Sequence, residues 1–136
     1  MSEKDTGNLA AILESCAKIK KFTADIWDAD ALFADEKTFD AVLMNFVIIG
    51  ESVTRLSDRL KENEPQVPWD KIKGFRNIVA HDYFGVDAEE VWQLIKNNLP
   101  GLETEIVRIL QAGWGVETEY IVVPEEVIHN MLITWQ

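Results

Sequence analysis

The chain contains very little cysteine: Cys16 is alone among 136 residues. A disulfide framework and a cysteine-based metal site both need several cysteines, so the sequence excludes both. Its two histidines, His81 and His129, do not show the His-x-x-x-His spacing of helical metal ligands. We therefore expect a protein of a reducing compartment that needs neither a metal nor another cofactor.

Basic residues are also scarce, with 13 Lys and Arg against 24 Asp and Glu and a formal charge of −11. Binding to nucleic acid by counterion release needs many basic side chains, so any contact with RNA must be local. Long apolar runs are missing too. The run AVLMNFVIIG is interrupted by Asn45 and reaches about half the length of a membrane-spanning helix. The first ten residues lack the apolar run of a signal peptide, which predicts a cytoplasmic protein.

Apolar residues recur at helical spacing along most of the chain, and no segment reads convincingly as a strand. Helices are predicted at about residues 7–27, 36–61, 68–81, 87–100 and 102–110. This pattern predicts an all-α, up-and-down bundle of about five helices that forms one domain over residues 1–113. Residues 114–136 form a tail with four glutamates and no Lys or Arg, whose role the sequence does not indicate.

Gly50 interrupts the apolar stripe of the second predicted helix. A glycine inside a helix costs about 1 kcal/mol relative to alanine. It marks either a close crossing by another helix or a tolerated weak point, and the sequence leaves both interpretations open. Glu51 is similarly ambiguous: it is either a buried acid that faces the third helix or an ordinary solvated or paired glutamate.

Polar groups suited to phosphate chemistry lie close together at the end of the third predicted helix: Arg76, Asn77, His81 and Tyr83. Histidine exchanges protons near neutral pH, and arginine offers a charged planar fork to phosphate oxygens. In RNA, a base can activate the 2′-hydroxyl to attack the neighbouring phosphate, while a guanidinium stabilises the developing charge. The group therefore suits RNA cleavage without a metal.

The spacing limits how this group can act together. Arg76 and His81 are about 140° apart around a straight helix, whereas Asn77 and His81 share a face. A loosened helix end, or a cleft between two copies in a symmetric dimer, would bring the pair together. An alternative is that Arg76 is a surface charge, His81 a helix-end residue and Tyr83 a packing residue.

A small basic island surrounds the arginine. Lys71, Lys73 and Arg76 against Asp70 give a net charge of +2 over residues 70–76 of an acidic chain. We expect RNA to bind there, with Lys73 and Asn77 as substrate-binding residues.

The stretch PWDKIKGFRNIVAHDYFGVD, residues 68–87, resembles the signature of the HepT-type toxins, minimal members of the HEPN superfamily. The family motif is an arginine, four to six residues, a histidine, any residue and a tyrosine, and Arg76, His81 and Tyr83 match all three positions. The segments VIIGESVTRLSDRL and VWQLIKNNLPGLETEI resemble the helices before and after the motif, so the similarity spans about residues 9–110. The tail is longer than expected for the family.

The resemblance implies an all-α homodimeric endoribonuclease that is the toxin of a type VII-like toxin–antitoxin pair. Its partner would be a minimal nucleotidyltransferase antitoxin. Arg76 and His81 become the catalytic pair, Asn77 the polar residue beside the arginine, and Tyr83 the residue that the antitoxin modifies with AMP. Related proteins also include non-catalytic helical modules that bind a nucleotidyltransferase or a nucleotide, and this alternative stays open.

Overall fold

A computed structural model describes residues 1–77 and 87–112 of the chain. Its helices are α1 (Glu3–Phe22), α2 (Ala29–Ala34), α3 (Glu36–Arg55), α4 (Asp58–Asn63), α5 (Trp69–Lys73), α6 (Ala88–Gln93), a π-helical turn (Leu94–Asn98) and α7 (Leu99–Ala112). Residues 75–77 are helical too, and these two ranges contain no strand. The predicted all-α class is confirmed. The end of the third predicted helix near His81, and the tail, lie outside the described residues.

The core is formed mainly where the two long helices α1 and α3 pack together, and α7 adds to it. Leu9, Leu13, Phe46 and Ile49 from the long helices have no exposed surface, and neither does Ile106 of α7. Burial of large apolar side chains is the dominant favourable contribution to folding. In the described part of the chain, no helix is both long enough and apolar enough to cross a bilayer.

The second predicted helix is shorter than expected, because the chain breaks at Leu56 instead of continuing to residue 61. Leu56 and Ser57 have extended backbone angles, and the Ser57 hydroxyl caps α4 by accepting from the Leu60 N–H. The buried carboxylate of Asp5 accepts both the Ser57 N–H at 2.8 Å and the Ser57 hydroxyl at 2.6 Å. Charge-assisted bonds of this length are among the stronger hydrogen bonds. The two bonds to Asp5 of α1 therefore stabilise the extended backbone at Leu56 and Ser57, where α3 ends.

The first predicted helix also ends early, at Phe22, where the Thr23 hydroxyl bonds to the Ile19 carbonyl. Trp27, expected on its apolar face, is 78% exposed. A short helix that the sequence analysis missed, α2, follows. Asp28 caps its start by accepting from the Ala31 N–H. Acidic residues at helix starts are favourable because they accept unpaired N–H groups and oppose the helix dipole.

Pro100 does not separate two helices as predicted. The chain is helical without a break from α6 through the π-helical turn into α7, and Pro100 is its second α7 residue. Proline inside a helix removes a hydrogen bond and clashes with the carbonyl four residues earlier. Here the turn just before Pro100 is wound more loosely, with the Leu99 N–H bonding to the Leu94 carbonyl five residues back. A π-turn is one of the few ways to carry a helix past such a residue.

A buried ion pair joins α1 to α7. The Lys20 ammonium lies 2.7 Å from an oxygen of the Glu103 carboxylate, which has no exposed surface. Burial raises the pKa of the Glu103 carboxyl, and Lys20 opposes that rise. The pair therefore holds two helices in register at a position where an isolated charge would be costly.

Gly50 is a close crossing point, which decides between the two interpretations of this residue. A methyl group at its Cα would lie 2.8 Å from the Arg76 backbone nitrogen and 3.0 Å from the Lys73 carbonyl oxygen. Both atoms belong to the backbone and cannot rotate away. Only glycine allows α3 to approach the segment after α5 this closely.

We predict that Gly50→Ala lowers the free energy of unfolding by about 1–3 kcal/mol, the usual cost of overpacking a tight contact. Gly7→Ala is the matched control, because Gly7 is also helical and a methyl group there meets nothing within 4 Å. That control is expected to be neutral or stabilising by up to about 1 kcal/mol. Urea unfolding of both variants measures the difference, and equal stability of the two would contradict the close crossing.

Candidate functional site

Arg76 is positioned by a segment that is tied to the core on its inner side. The segment begins with α5, where the Trp69 indole donates to the Glu64 carbonyl at 3.0 Å. Ile72 is buried, and the Phe75 ring meets the buried Phe46 ring edge to face at a centroid distance of 5.3 Å. Edge-to-face packing of this kind is favourable for aromatic rings. The backbone that leads up to Arg76 is therefore fixed against α3.

The Arg76 guanidinium points to the next residue of α3 after the close crossing. One of its nitrogens, Nη1, lies 3.4 Å from an oxygen of Glu51. The side chains are 34% and 43% exposed, so water screens the pair and its contribution to stability is small. Glu51 thus faces the motif segment, but it is a partly exposed, paired glutamate and not the buried acid of the other interpretation.

This geometry leaves the guanidinium able to bind a second anion. The contact with Glu51 uses one of the five N–H donors that arginine carries, and it is long for a charge-assisted bond. A phosphate that approaches from solvent can engage the remaining donors at two points. Glu51 therefore orients the Arg76 guanidinium and leaves its other N–H donors available to a phosphate.

The predicted substrate-binding residues flank the arginine on the surface. Lys73 and Asn77 are both exposed, and they are four residues apart in a helical stretch, which places them close to one face. Lys71 is exposed as well. The described part of the predicted group thus offers a phosphate several polar and cationic side chains within one short segment.

The other predicted site residues, His81 and Tyr83, lie outside the described residues. The predicted pairing of Arg76 with His81 stays a prediction for that reason. The sequence analysis did not recognise that Gly50 and Glu51 together position Arg76. The available signal was a glycine followed by an acid in the middle of an otherwise apolar helix.

Comparison with known proteins gives a family for this arrangement. The family model described as "Ribonuclease HepT-like" matches residues 12–109, which includes every predicted site residue. The match extends over more than half of the chain. The protein belongs to the HepT-like ribonuclease family, and the resemblance predicted from the motif is confirmed.

Several related proteins are also described as ribonucleases. A putative RNase of Methanocaldococcus jannaschii is 35% identical over 107 residues, which are 78% of this chain and 97% of that protein. A second putative RNase of the same organism is 35% identical over 112 residues, 82% of this chain and 92% of the relative. A probable ribonuclease HepT of Thermococcus cleftensis is 33% identical over 101 residues, 74% of this chain and 91% of the relative. No solved structure gives a significant match.

Proposed function

We propose that the protein is a metal-independent endoribonuclease and the toxin of a type VII-like toxin–antitoxin pair. The observation that carries the proposal is the position of Arg76. Its backbone is fixed at the crossing with Gly50, and its guanidinium is oriented by one weak contact with Glu51. An arginine that is already positioned in this way can bind a phosphate with little rearrangement. The chain also belongs to a ribonuclease family.

In the proposed reaction the nucleophile comes from the RNA. His81 removes the proton from the 2′-hydroxyl, the oxygen attacks the adjacent phosphorus, and the bond to the 5′-oxygen of the next nucleotide breaks. That oxygen takes up a proton, so the products end in a 2′,3′-cyclic phosphate and a 5′-hydroxyl. Arg76 stabilises the charge on the phosphoryl oxygens, and Lys73 and Asn77 hold the flanking backbone.

The second candidate function is a non-catalytic module that binds a nucleotidyltransferase or a nucleotide. The charge of −11 favours it, because an acidic surface suits contacts with a protein better than contacts with RNA. The two functions differ in one measurable property, which is cleavage of RNA by the purified chain.

We predict that His81→Ala slows RNA cleavage by about 10²–10⁴-fold, the usual contribution of general acid–base catalysis. Arg76→Lys is also expected to lose RNA cleavage. An ammonium keeps the positive charge but lacks the planar guanidinium that contacts phosphate oxygens at two points. Cleavage of a labelled RNA, with analysis of its end groups, measures both effects. EDTA is expected to leave the rate of the wild-type protein unchanged.

Glu51→Gln is the matched control for Arg76→Lys. It removes the charge of the arginine's partner but keeps both the guanidinium and an amide oxygen that can accept from it. We expect its cleavage rate to stay within about threefold of wild type, as for a weakly coupled exposed pair. Full activity of a folded His81→Ala protein, or loss of activity in EDTA, would contradict the mechanism and favour the non-catalytic module.

We further propose that the protein is a homodimer whose copies meet through the outer face of α3. Met44 and Ile48, four residues apart on this face, are 57% and 38% exposed. Glu51 lies on the same face, seven residues after Met44, so a second copy seated there would come close to Arg76. Apolar side chains in solvent beside a candidate site are typical of an interaction surface. The segment from Trp69 to Tyr83 is expected at or beside the same two-fold interface, where two copies of it would concentrate positive charge.

We predict a dimer by light scattering at micromolar concentration. Met44→Glu should shift the protein toward monomer, because a carboxylate would be desolvated in the interface. Trp27→Glu is the control, since it removes an even more exposed apolar side chain from the segment between α1 and α2. Dissociation by the Trp27 variant alone would place the interface elsewhere, and a wild-type monomer would rule out the dimer.

Tyr83 is the proposed control point. A nucleotidyl group on its hydroxyl would bring bulk and negative charge next to His81, two residues away, and would exclude RNA phosphate. The proposed enzyme for this modification is a minimal nucleotidyltransferase antitoxin.

We predict that incubation with this partner, ATP and magnesium adds mass in AMP units to Tyr83, which mass spectrometry of peptides detects. Tyr83→Phe should remain unmodified and keep cleaving RNA in the presence of the partner. Modification at Tyr120, the other tyrosine, would show that the assignment is wrong.

A further inference from the structure

A cavity of about 400 Å³ lies beside the segment that carries Arg76. One wall is formed by α5 and the residue before Arg76, with Lys71, Ile72 and Phe75. The other wall is formed by the π-helical turn and the start of α7, with Leu94, Asn97 and Gly101. Neither the proposed reaction nor the α3 surface uses this cavity.

The lining of the cavity has the chemistry of a site for a flat, partly polar ring. Its inner part is apolar and includes the half-buried Phe75, whereas Lys71 and Asn97 supply polar groups at the margin. Asn97 donates its side-chain amide to Gln93, so its carbonyl oxygen is the atom it offers as an acceptor. Glu105 also lines the cavity; its Oε2 accepts from the Arg108 guanidinium, and a carboxylate can accept from an amino group as well. Small-molecule sites commonly combine a cavity of this size with a few polar groups.

The location of the cavity connects it to the RNA strand. Phe75 directly precedes Arg76, and Ile72 lies one helical turn before Arg76. The cavity and the guanidinium therefore lie on adjacent sides of the same short segment. A strand that places one phosphate at Arg76 is therefore expected to have a neighbouring base on the side of the segment that faces the cavity.

We propose that this cavity is a subsite for one unpaired nucleobase next to the scissile phosphate of the RNA. The inference rests on the proposed ribonuclease function and extends it to substrate recognition. Proteins recognise single-stranded RNA by inserting splayed bases between apolar or aromatic groups and by contacting their polar edges. Because the chain has a charge of −11, contacts with phosphates alone give it little affinity for RNA. Contact with a base adds to that affinity.

Gly101 provides a direct way to close the cavity. It is an exposed helical glycine in the cavity wall, and a methyl group on its Cα would meet nothing within 4 Å. A side chain at this position starts from open space in the cavity wall, so Gly101→Leu is expected to fill part of the cavity. Gly7→Leu is the matched control, because Gly7 is an exposed helical glycine with open space around it and lies on α1, outside the cavity.

The test measures RNA binding in the His81→Ala background, where the strand stays intact. A short single-stranded RNA is compared with a series in which one base at a time is removed while its sugar and phosphate remain. We expect one abasic position to weaken binding by about 5- to 150-fold, the range for loss of a stacked base. Gly101→Leu should weaken binding of the intact RNA to a similar extent and leave binding of that abasic RNA unchanged.

The outcomes separate this inference from the proposed function. If the wild-type protein cleaves RNA but Gly101→Leu binds intact RNA as tightly as Gly7→Leu does, the subsite is wrong and the ribonuclease stands. If the wild-type protein does not cleave RNA but the single abasic effect is present and disappears in Gly101→Leu, the subsite stands and the ribonuclease is wrong. Thermal unfolding adds a third arm: a lower melting temperature for Gly101→Leu than for Gly7→Leu would show that the chain itself fills the cavity, which overturns the subsite.

Discussion

The position of Arg76 depends on the close approach between Gly50 of α3 and the backbone of residues 73–76. No side chain fits between the two, since a methyl group would come within 2.8 Å of the Arg76 nitrogen. One helical turn earlier on α3, Phe46 packs against Phe75. The segment is therefore held at two neighbouring points of α3, so the arginine extends from a fixed point although its side chain is long. A rigid backbone under a mobile charged group lowers the entropy lost when a ligand is bound.

Glu51 both supports and opposes phosphate binding. Its carboxylate draws the Arg76 guanidinium toward α3, which limits the directions that the side chain samples. The same negative charge repels a phosphate that approaches the arginine. Because both groups are partly exposed and their contact is long, exchange of one anion for the other involves little desolvation. In the proposed complex, the pair would orient the arginine before RNA binds and would exchange with an RNA phosphate at little cost.

Local sequence patterns predicted the two long helices well but missed the short helix α2 and placed the helix ends poorly, for a physical reason. The stripes of Leu and Ile that mark α1 and α3 are properties of the helices themselves, so periodicity was enough to find them. The break at Leu56 depends on Asp5, which is 52 residues away from Ser57 in the chain. The passage through Pro100 depends on the preceding π-turn, which no local residue signals.

The candidate site also combines features that the local sequence predicts with features that depend on distant residues. Arg76 was found from the motif, but its orientation depends on Glu51, which is 25 residues away. The cavity beside it is formed by two stretches, residues 67–75 and 94–105, that carry no motif in common. A site formed by segments that are far apart in the sequence produces no local sequence pattern. Local patterns therefore do not predict it.

Ion pairs neutralise some of the basic side chains of this acidic chain. Among the described residues, Arg108 lies 2.6 Å from Glu64, and Lys20 lies 2.7 Å from Glu103. Paired charges contribute little to the potential at a distance, since opposite charges cancel beyond their immediate neighbourhood. Lys71 and Lys73 are exposed beside Arg76, where the one nearby ion pair is long and screened. The net charge of +2 over residues 70–76 therefore gives a local attraction for an anion beside Arg76, and the proposed contact with an RNA phosphate would use it.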